Sequence, residues 1–530
     1  MLTDRIKLFL WATAALLPLL GLAALLWRRY YREDTANTAR RVVKNSAVPT
    51  VVRLIVRAID MAFALVLYRL LAPDAVGQYD LAALLVVLYL GTFSDFGLGT
   101  LLTREVARQP EQAPRYFGVT LCLRWGFGLL ALPIALAIIG VYGGLSALVP
   151  GASALTSDGA AAILILCLTL FPSAYNNVVT ALFNARERLE IPAAVELITQ
   201  IVSVFARVGV LLAGWGVIGL AWAAVGTTTL TALVFLALQY RLLFRPRLGW
   251  DAGFARALLR PAFPLLLNSL LVNAAFSFDS FILRAFTGDG VVAQYRMPYR
   301  VINVVLILPP LLINAIFPII ARHAENNRAG LNRAYRRTLQ VLLLAAFPVA
   351  VATTVLAHEM VVVFVGQQEL AKYLGVSDRA LQILIWFLPL SYVNGLTQYI
   401  MIALNRQASI TRSFAVMAAF NLTANLVAIA AFPAYGIYLA SVITVLSEVV
   451  LYVTYLPLLR QEDAIPPLLA LAWRPAAAAL LMGAAMQAAY ALGPLAAAAV
   501  APLAYAGALW ALGAFGAEER AFVRRVLGRT

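Results

Sequence analysis

The sequence predicts an all-α polytopic membrane protein, and three observations support this fold class. Hydrophobic residues make up 62% of the chain, charged residues make up 12%, and the mean hydropathy is +0.85. A soluble domain carries about 45–50% apolar and about 25% charged residues, so lipid must solvate most of this chain. Apolar runs long enough to cross a bilayer recur throughout, and basic residues lie between them in alternate connections.

The apolar runs give the number of spans and the domain organisation. Since a transmembrane helix needs about 20 apolar residues, the runs predict about fifteen spanning helices with no soluble domain between them. The predicted spans are 6–27, 47–71, 76–102, 116–142, 160–184, 192–214, 217–240, 262–287, 290–321, 336–365, 378–404, 410–432, 436–458, 467–492 and 495–515. We divide the chain into an extra N-terminal helix with a basic linker (1–45), a six-helix N-lobe (46–245), a six-helix C-lobe (246–460) and a C-terminal helix pair with a basic tail (461–530).

The arginines predict the orientation of the chain in the membrane. Alternate connections such as 28–44, 241–260 and 322–337 are rich in arginine, whereas 143–159 and 432–436 contain no basic residue. The positive-inside rule therefore predicts a protein of the inner (cytoplasmic) membrane with a cytoplasmic C-terminus and an external N-terminus. This distribution also accounts for the net charge of +16 without a nucleic-acid partner.

The first predicted span needs a separate decision, because a basic flank and an apolar run are also features of a signal peptide. The run 6–27 is long for a signal peptide, and no A-x-A-like cleavage site follows it. We therefore expect it to be retained as a membrane helix.

An internal repeat relates two segments about 215 positions apart. The segments are LYRLLAPDAVGQYDLA (67–82) and ILRAFTGDGVVAQYRMP (282–298), in which Arg69 matches Arg284 and Asp74 matches Asp289. Both copies follow an even number of predicted helices, so the repeat is parallel and predicts two lobes around a central cavity. The alternative is chance similarity between apolar segments, but the matches fall on polar turn residues.

Charged and polar residues inside the predicted spans are the candidate site, because intramembrane charge is costly and usually functional. Arg53, Arg57 and Asp60 are spaced i, i+4 and i+7 and share one helix face. Arginine suits a phosphorylated substrate because its planar fork grips phosphate oxygens while it stays charged. The candidate substrate-binding residues, for diphosphate and sugar, are Arg53, Arg57, Arg284, Arg296, Arg300, Asn273 and Asn303. The candidate ion- or proton-coupling residues are Asp60, Asp279 and Glu359.

Two alternative roles for the candidate arginines follow from the same sequence. Any of them could pair with an acidic residue and only hold helices together, as Arg57 could with Asp60. Arg53, close to the cytoplasmic boundary, could be an interfacial anchor.

Several of these segments resemble a known family. Residues 67–82, SDFGLGTLLTREVAR (94–108), ARERLEIP (185–192) and FSFDSFILRAFTGDGVVAQYRMPYRV (276–301) are similar to polysaccharide-biosynthesis exporters of the multidrug/oligosaccharidyl-lipid/polysaccharide (MOP) superfamily. The resemblance covers roughly residues 45–460. It implies two lobes with twelve to fourteen helices, alternating access and a polyprenyl-diphosphate-linked glycan as substrate.

The resemblance also implies roles for particular residues. Related flippases place arginines of their first and eighth helices in a central cavity, and Arg53, Arg57, Arg296 and Arg300 lie on the matching helices here. Asp279 matches the acidic residue that is usual in the seventh helix of the family. The extra N-terminal helix and the C-terminal pair depart from the twelve-helix pattern.

The sequence thus predicts a flippase that moves a polyprenyl-diphosphate-linked oligosaccharide to the outer leaflet for cell-surface polysaccharide assembly. Its expected partners are the glycolipid, membrane lipids, and the glycosyltransferases and polymerase of the same pathway. The alternatives are a cation-coupled multidrug exporter of the same superfamily and a polytopic glycosyltransferase or O-antigen ligase. The short outer loops, however, offer little catalytic apparatus.

Catalytic residues, cofactors and metals are not expected. An ATP-driven pump is excluded because none of the three lysines follows a glycine, as a P-loop requires. Cys122 and Cys167 lie in apolar runs, and His323 and His358 are far apart in the sequence. This distribution is not that of a metal-ligand cluster.

Overall fold

The computed structural model describes residues 38–148, 154–464 and 466–513, and every regular element in these ranges is a helix. The chain divides into two compact units. Unit 1 extends to Arg296 and includes Phe364–Glu369, and unit 2 comprises Met297–Val363 and the chain from Leu370 onward. The predicted span 6–27 and the basic tail lie outside the described residues.

Unit 1 is built from long helices and shorter broken ones. Its helices are α1 (Thr38–Leu70), α2 (Pro73–Ala83), α3 (Gly91–Asp95), α4 (Leu98–Arg108), α5 (Ala113–Leu148), α6 (Ser157–Cys167), α7 (Leu170–Ala185), α8 (Glu190–Leu212), α9 (Gly216–Leu242), α10 (Ala252–Ser277), α11 (Asp279–Thr287) and α12 (Asp289–Val305). A π-helical segment, Leu84–Leu90, joins α2 to α3, and a 3-10 turn, Pro110–Gln112, precedes α5. The division between the units falls inside α12, so residues 289–296 of this helix belong to unit 1 and residues 297–305 belong to unit 2.

Unit 2 contains the remaining helices. They are α13 (Leu308–Asn326), α14 (Arg328–Phe364), α15 (Leu370–Tyr373), α16 (Ser377–Leu384), α17 (Phe387–Ala403), α18 (Gln407–Ala431), α19 (Gly436–Gln461), α20 (Leu468–Ala489) and α21 (Pro494–Ala511). Short 3-10 turns, Pro433–Tyr435 and Tyr490–Leu492, precede α19 and α21.

Twelve helical segments of the described chain are long and apolar enough to cross a membrane, so the chain is a multi-pass membrane protein. They overlap every predicted span from 76–102 to 495–515 except 290–321. That segment is divided between α12 and α13, because Pro309 and Pro310 at the start of α13 have no N–H to continue the helix. The predicted span 47–71 lies in α1, which is not among the twelve segments because it carries too many charged residues. The exact number of spans stays a prediction.

Two residues with left-handed backbone conformation separate α3 from α4, next to Asp95. They are Phe96 (φ 51°) and Gly97 (φ 75°). Gly97 is also closely packed, because a Cβ there would lie 2.6 Å from the Cβ of Leu265 and 2.8 Å from the carbonyl oxygen of Ala262. Only glycine, which has no Cβ, can adopt this positive φ and also pack so closely against another helix. The break leaves Asp95 at the end of a helix.

The two segments of the internal repeat contact each other inside unit 1. A Cβ added to Gly77 would collide with the carbonyl oxygen of Asp289, and one added to Gly290 would lie 2.6 Å from Oδ1 of Asp74. Asp74 and Asp289 are matched positions of the repeat, so each copy places a glycine against the matched aspartate of the other. These reciprocal contacts show why both segments keep glycine in a helix, where it is otherwise unfavourable.

A surface ion pair fixes the start of α10. Asp251 is its N-cap: Oδ1 accepts a hydrogen bond from the backbone N–H of Phe254 at 3.0 Å, and Oδ2 pairs with Arg115 of α5. The backbone N–H of Phe254 and, second, the Arg115 guanidinium hold the pKa of the Asp251 carboxyl below its usual range. This pair connects the cytoplasmic ends predicted for α5 and α10.

The C-terminal helix pair packs against α14 within unit 2. Val351 of α14 lies in a buried cluster with Ala479, Met482 and Ala497. Tyr505 of α21 donates a hydrogen bond to the carbonyl oxygen of Leu344 at 2.9 Å. Small residues let these helices approach closely, which is the usual way that membrane helices associate.

Candidate functional site

The predicted face of α1 forms a polar stripe with α8. Arg53 and Arg57 are exposed, and neither forms an ion pair within the described part of the chain. Oδ1 of Asp60 accepts a hydrogen bond from Nε2 of Gln200 on α8 at 2.5 Å. Glu196, one turn before Gln200, is close enough to both arginines to interact with them electrostatically. These five side chains are the α1–α8 stripe, and its cations keep N–H groups available to a ligand.

Arg296 and Asp279 lie in a second, buried network of unit 1. Asp279 is 1% exposed, and its Oδ2 accepts a hydrogen bond from the hydroxyl of Tyr295 at 2.6 Å. Nε of Arg296 lies 4.0 Å from Oδ2 of Asp80, which also accepts from the hydroxyl of Tyr68 at 3.4 Å. Arg296 interacts electrostatically with Asp279 as well. The arrangement groups two buried carboxyls with one half-buried guanidinium, so their charges interact with little screening by water.

Two predicted site residues are engaged in contacts between helices of unit 1. Arg284 is 1% exposed, and its Nε lies 2.9 Å from Oδ1 of Asp289. Its Nη2 donates to the carbonyl oxygen of Ala154 at 2.6 Å, and its guanidinium stacks 4.8 Å from the ring centre of Tyr142. Asn273 donates from Nδ2 to a threonine hydroxyl at 3.0 Å. The pair Arg284–Asp289 has the geometry of the alternative in which an arginine pairs with an acidic residue and only holds helices together. Neither Arg284 nor Asn273 lies on the α1–α8 stripe.

The remaining predicted residues lie on α12 and α14. Arg300 is half-buried one turn after Arg296 on α12, and Asn303 is exposed one turn further on. Glu359 of α14 accepts a hydrogen bond at Oε1 from the hydroxyl of Tyr490 at 2.5 Å. Glu359 therefore connects α14 with the 3-10 turn between α20 and α21, whereas Asp60 and Asp279 belong to unit 1.

Two further charged residues, Arg124 and Glu448, are isolated in apolar runs of the sequence and buried in the structure. Arg124 of α5 pairs with Asp95 through Nη2 at 2.8 Å and lines a cavity of unit 1. Glu448 of α19 is 1% exposed and accepts at Oε2 from Nδ2 of Asn394 at 2.6 Å. An isolated ionisable residue in an apolar run was the only signal in each case, because the partners come from other helices.

A model of the family described as polysaccharide biosynthesis protein matches residues 66–374, more than half of the chain. The chain belongs to the polysaccharide biosynthesis protein family. This confirms the predicted family, and it places the α1–α8 stripe and the buried network in a family member rather than in an unrelated membrane bundle. A search of curated protein sequences gave no match.

Solved structures of the MOP superfamily share the fold of this family member. The lipid II flippase MurJ in an inward closed conformation is similar with a TM-score of 0.70 and 13% identity, covering 91% of this chain and 100% of that one. An inward-facing multidrug resistance MATE family transporter gives 0.60 and 16%, covering 78% and 98%. A MOP superfamily transporter from Pyrococcus furiosus gives 0.54 and 15%, covering 80% and 96%. At these identities the likeness establishes the fold alone, and it confirms the predicted all-α polytopic class.

Proposed function

We propose that this family member is a flippase that carries a polyprenyl-diphosphate-linked oligosaccharide from the cytoplasmic to the outer leaflet of the inner membrane. The observation that carries the proposal is the exposure of Arg53 and Arg57, unpaired within the described residues, on a helix of a MOP-type fold. The family's description supports a role in polysaccharide biosynthesis. The partners that we propose are the glycosyltransferases and polymerase of the same pathway.

The charge of the stripe favours a phosphorylated substrate over an organic cation. A guanidinium left exposed at membrane depth is unfavourable unless water or an anion meets it. A diphosphate can accept several charge-assisted hydrogen bonds from neighbouring arginines. Arg53 and Arg57 are such neighbours, because they lie one turn apart on α1. Arg296, Arg300 and Asn303 on α12 are the second set that we assign to the diphosphate and the sugars.

The transport cycle that we propose is alternating access driven by the membrane potential or an ion gradient. Asp60, Asp279 and Glu359 are the candidate coupling carboxyls. Asp279 is the strongest of them, because it is buried beside Tyr295 and Arg296, where a change of protonation alters interactions that water cannot screen. The amide variants Asp60→Asn, Asp279→Asn and Glu359→Gln keep shape and remove the charge. The variant that loses its dependence on the imposed gradient identifies the coupling residue.

The test is flipping in proteoliposomes that contain a short-chain polyprenyl diphosphate carrying one labelled sugar. Arg57→Gln removes a charged hydrogen bond worth about 1.5–3 kcal/mol, so transport should fall about 10- to 150-fold. Arg300→Gln should fall similarly. Arg241→Gln is the matched control, since Arg241 is an exposed arginine in the last turn of α9, and it should flip at the wild-type rate.

Two results would overturn the proposal. One is unchanged flipping in both Arg57→Gln and Arg300→Gln proteins that melt like the wild type. The other is gradient-driven transport of an organic cation such as ethidium without flipping of the glycolipid. That second result would instead support the multidrug-exporter alternative, for which Asp60 and Glu196 would be the cation-binding groups.

A further inference from the structure

Unit 1 contains a cavity of about 490 Å³ that is separate from the α1–α8 stripe. Its walls come from the π-helical segment and from α3, α5, α6, α7, α9 and α10, and none of the described lining residues belongs to α1 or α8. The volume falls within the range of about 300–1,000 Å³ that is typical of small-molecule sites. Asn177 and Ser269 are exposed lining residues, so the cavity opens to the surface of the unit.

The central polar group of this cavity is Arg124. Its side chain is 1% exposed, and Nη2 forms an ion pair with Oδ1 of Asp95 at 2.8 Å. Nε and Nη1 are buried and have no hydrogen-bond partner. A buried donor without an acceptor is unfavourable, and more so when it is charged. A ligand that brings acceptor oxygens would recover this energy.

A second helix that lines the cavity, α7, offers an unused acceptor. Asn176 of α7 donates from Nδ2 to the carbonyl oxygen of Thr228 at 3.2 Å, but its Oδ1 is buried without a partner. The hydroxyl of Ser173, one turn before Asn177, lies on the same wall. The cavity therefore presents both donors and acceptors, and its occupant must be able to do the same.

We propose that this cavity binds an uncharged sugar ring. Arg124 and Asp95 neutralise each other, so an added anion would face the Asp95 carboxylate in a poorly screened site, and an added cation would face the guanidinium. A polyol adds no charge, its hydroxyl oxygens accept from Nε and Nη1 of Arg124, and its hydroxyl protons satisfy Oδ1 of Asn176. The assignment of this ring to the glycan of the transported lipid rests on the proposed function. The binding chemistry of the cavity does not.

The experiment measures binding of free sugars to the purified full-length protein by saturation-transfer difference NMR. The probes are the methyl glycosides of glucose, galactose, mannose, rhamnose and N-acetylglucosamine, with inorganic phosphate and methyl glucuronide as charged comparisons. At least one neutral glycoside should bind, and neither charged probe should displace it.

Two variants remove the site in different ways. Ser173→Leu fills the cavity and leaves the ion pair intact, and the double variant Arg124→Met with Asp95→Leu removes both charges without leaving one unpaired. Each should weaken sugar binding at least tenfold while the protein melts like the wild type. Arg115→Gln, on the same helix but in the exposed pair with Asp251, is the matched control and should bind like the wild type.

The inference is wrong if no neutral glycoside binds the wild-type protein, or if binding survives in both site variants. Stronger binding of phosphate, lost in the double variant, would also overturn it in favour of an anion site. Because the probes carry neither diphosphate nor lipid, these results are independent of flipping. Sugar binding that depends on Arg124 in a protein that fails every flipping assay would remove the proposed function and leave the cavity assignment standing.

Discussion

The contact between the two repeat segments makes Gly77→Ala a demanding test of the fold. The new Cβ would lie only 1.8 Å from the carbonyl oxygen of Asp289, whereas ordinary contacts begin at 3.4 Å. The segments would have to separate by about 1.6 Å, the difference between these distances. Both partners are backbone in helices, so no side chain can rotate away. Overpacking of this kind costs about 1–3 kcal/mol, and we expect about 3 kcal/mol here because the displacement is large.

Two matched glycine variants isolate the steric effect. A Cβ on Gly290 would overlap only with the end of the Asp74 side chain, at 2.6 Å, and that side chain is exposed and can move. Gly126 of α5 has no neighbour within 4 Å of the added carbon. Gly126→Ala should stabilise by about 0.5–1 kcal/mol through helix propensity, and Gly290→Ala should differ little from the wild type.

The assay is thermal unfolding in detergent followed with a thiol-reactive dye. Cys167 is fully buried, so its reaction reports loss of packing in unit 1, and Cys122 contributes the same background in every variant. The expected order of melting temperature is Gly126→Ala highest, then Gly290→Ala, then Gly77→Ala, lower by several degrees. A Gly77→Ala protein that melts with the wild type would refute the reciprocal packing of the repeat segments.

Three further predictions follow from the described contacts. Arg284→Met should destabilise the protein by about 3–5 kcal/mol because Asp289 is left buried and unpaired, while adding Asp289→Leu should restore most of the loss in the same melting assay. Tyr490→Phe should cost about 1 kcal/mol by removing the hydrogen bond to Glu359, and equal melting of Tyr490→Phe and wild type would show that this contact is weak. The Asp251 carboxyl has a lowered pKa when folded, so its contribution to stability is complete above the unfolded pKa of about 3.9 and is lost as pH falls through the lower folded pKa. The melting temperature of Asp251→Asn should accordingly fall less than that of the wild type between pH 6 and pH 3.

The candidate site divides into a part that the sequence could indicate and a part that it could not. Arg53, Arg57 and Asp60 share a face of α1 because helical periodicity fixes that relation along one chain segment. The repeat contained a further signal, because Asp80 and Arg296 occupy matched positions 216 residues apart and form an ion pair. The pairing of Arg124 with Asp95 gave no such signal, since it depends on where α3 breaks at Phe96 and Gly97.

By itself, the sequence determined the fold class, the placement of twelve spans and the family, because hydrophobicity, helical period and motif order are properties of neighbouring residues. The tertiary structure decided which charges are neutralised and which are exposed. Arg284 and Arg57 are both arginines in apolar runs, yet one is buried against Asp289 and the other is exposed on the α1–α8 stripe. The physical reason is that the free energy of an intramembrane charge depends on the groups that other helices bring to it.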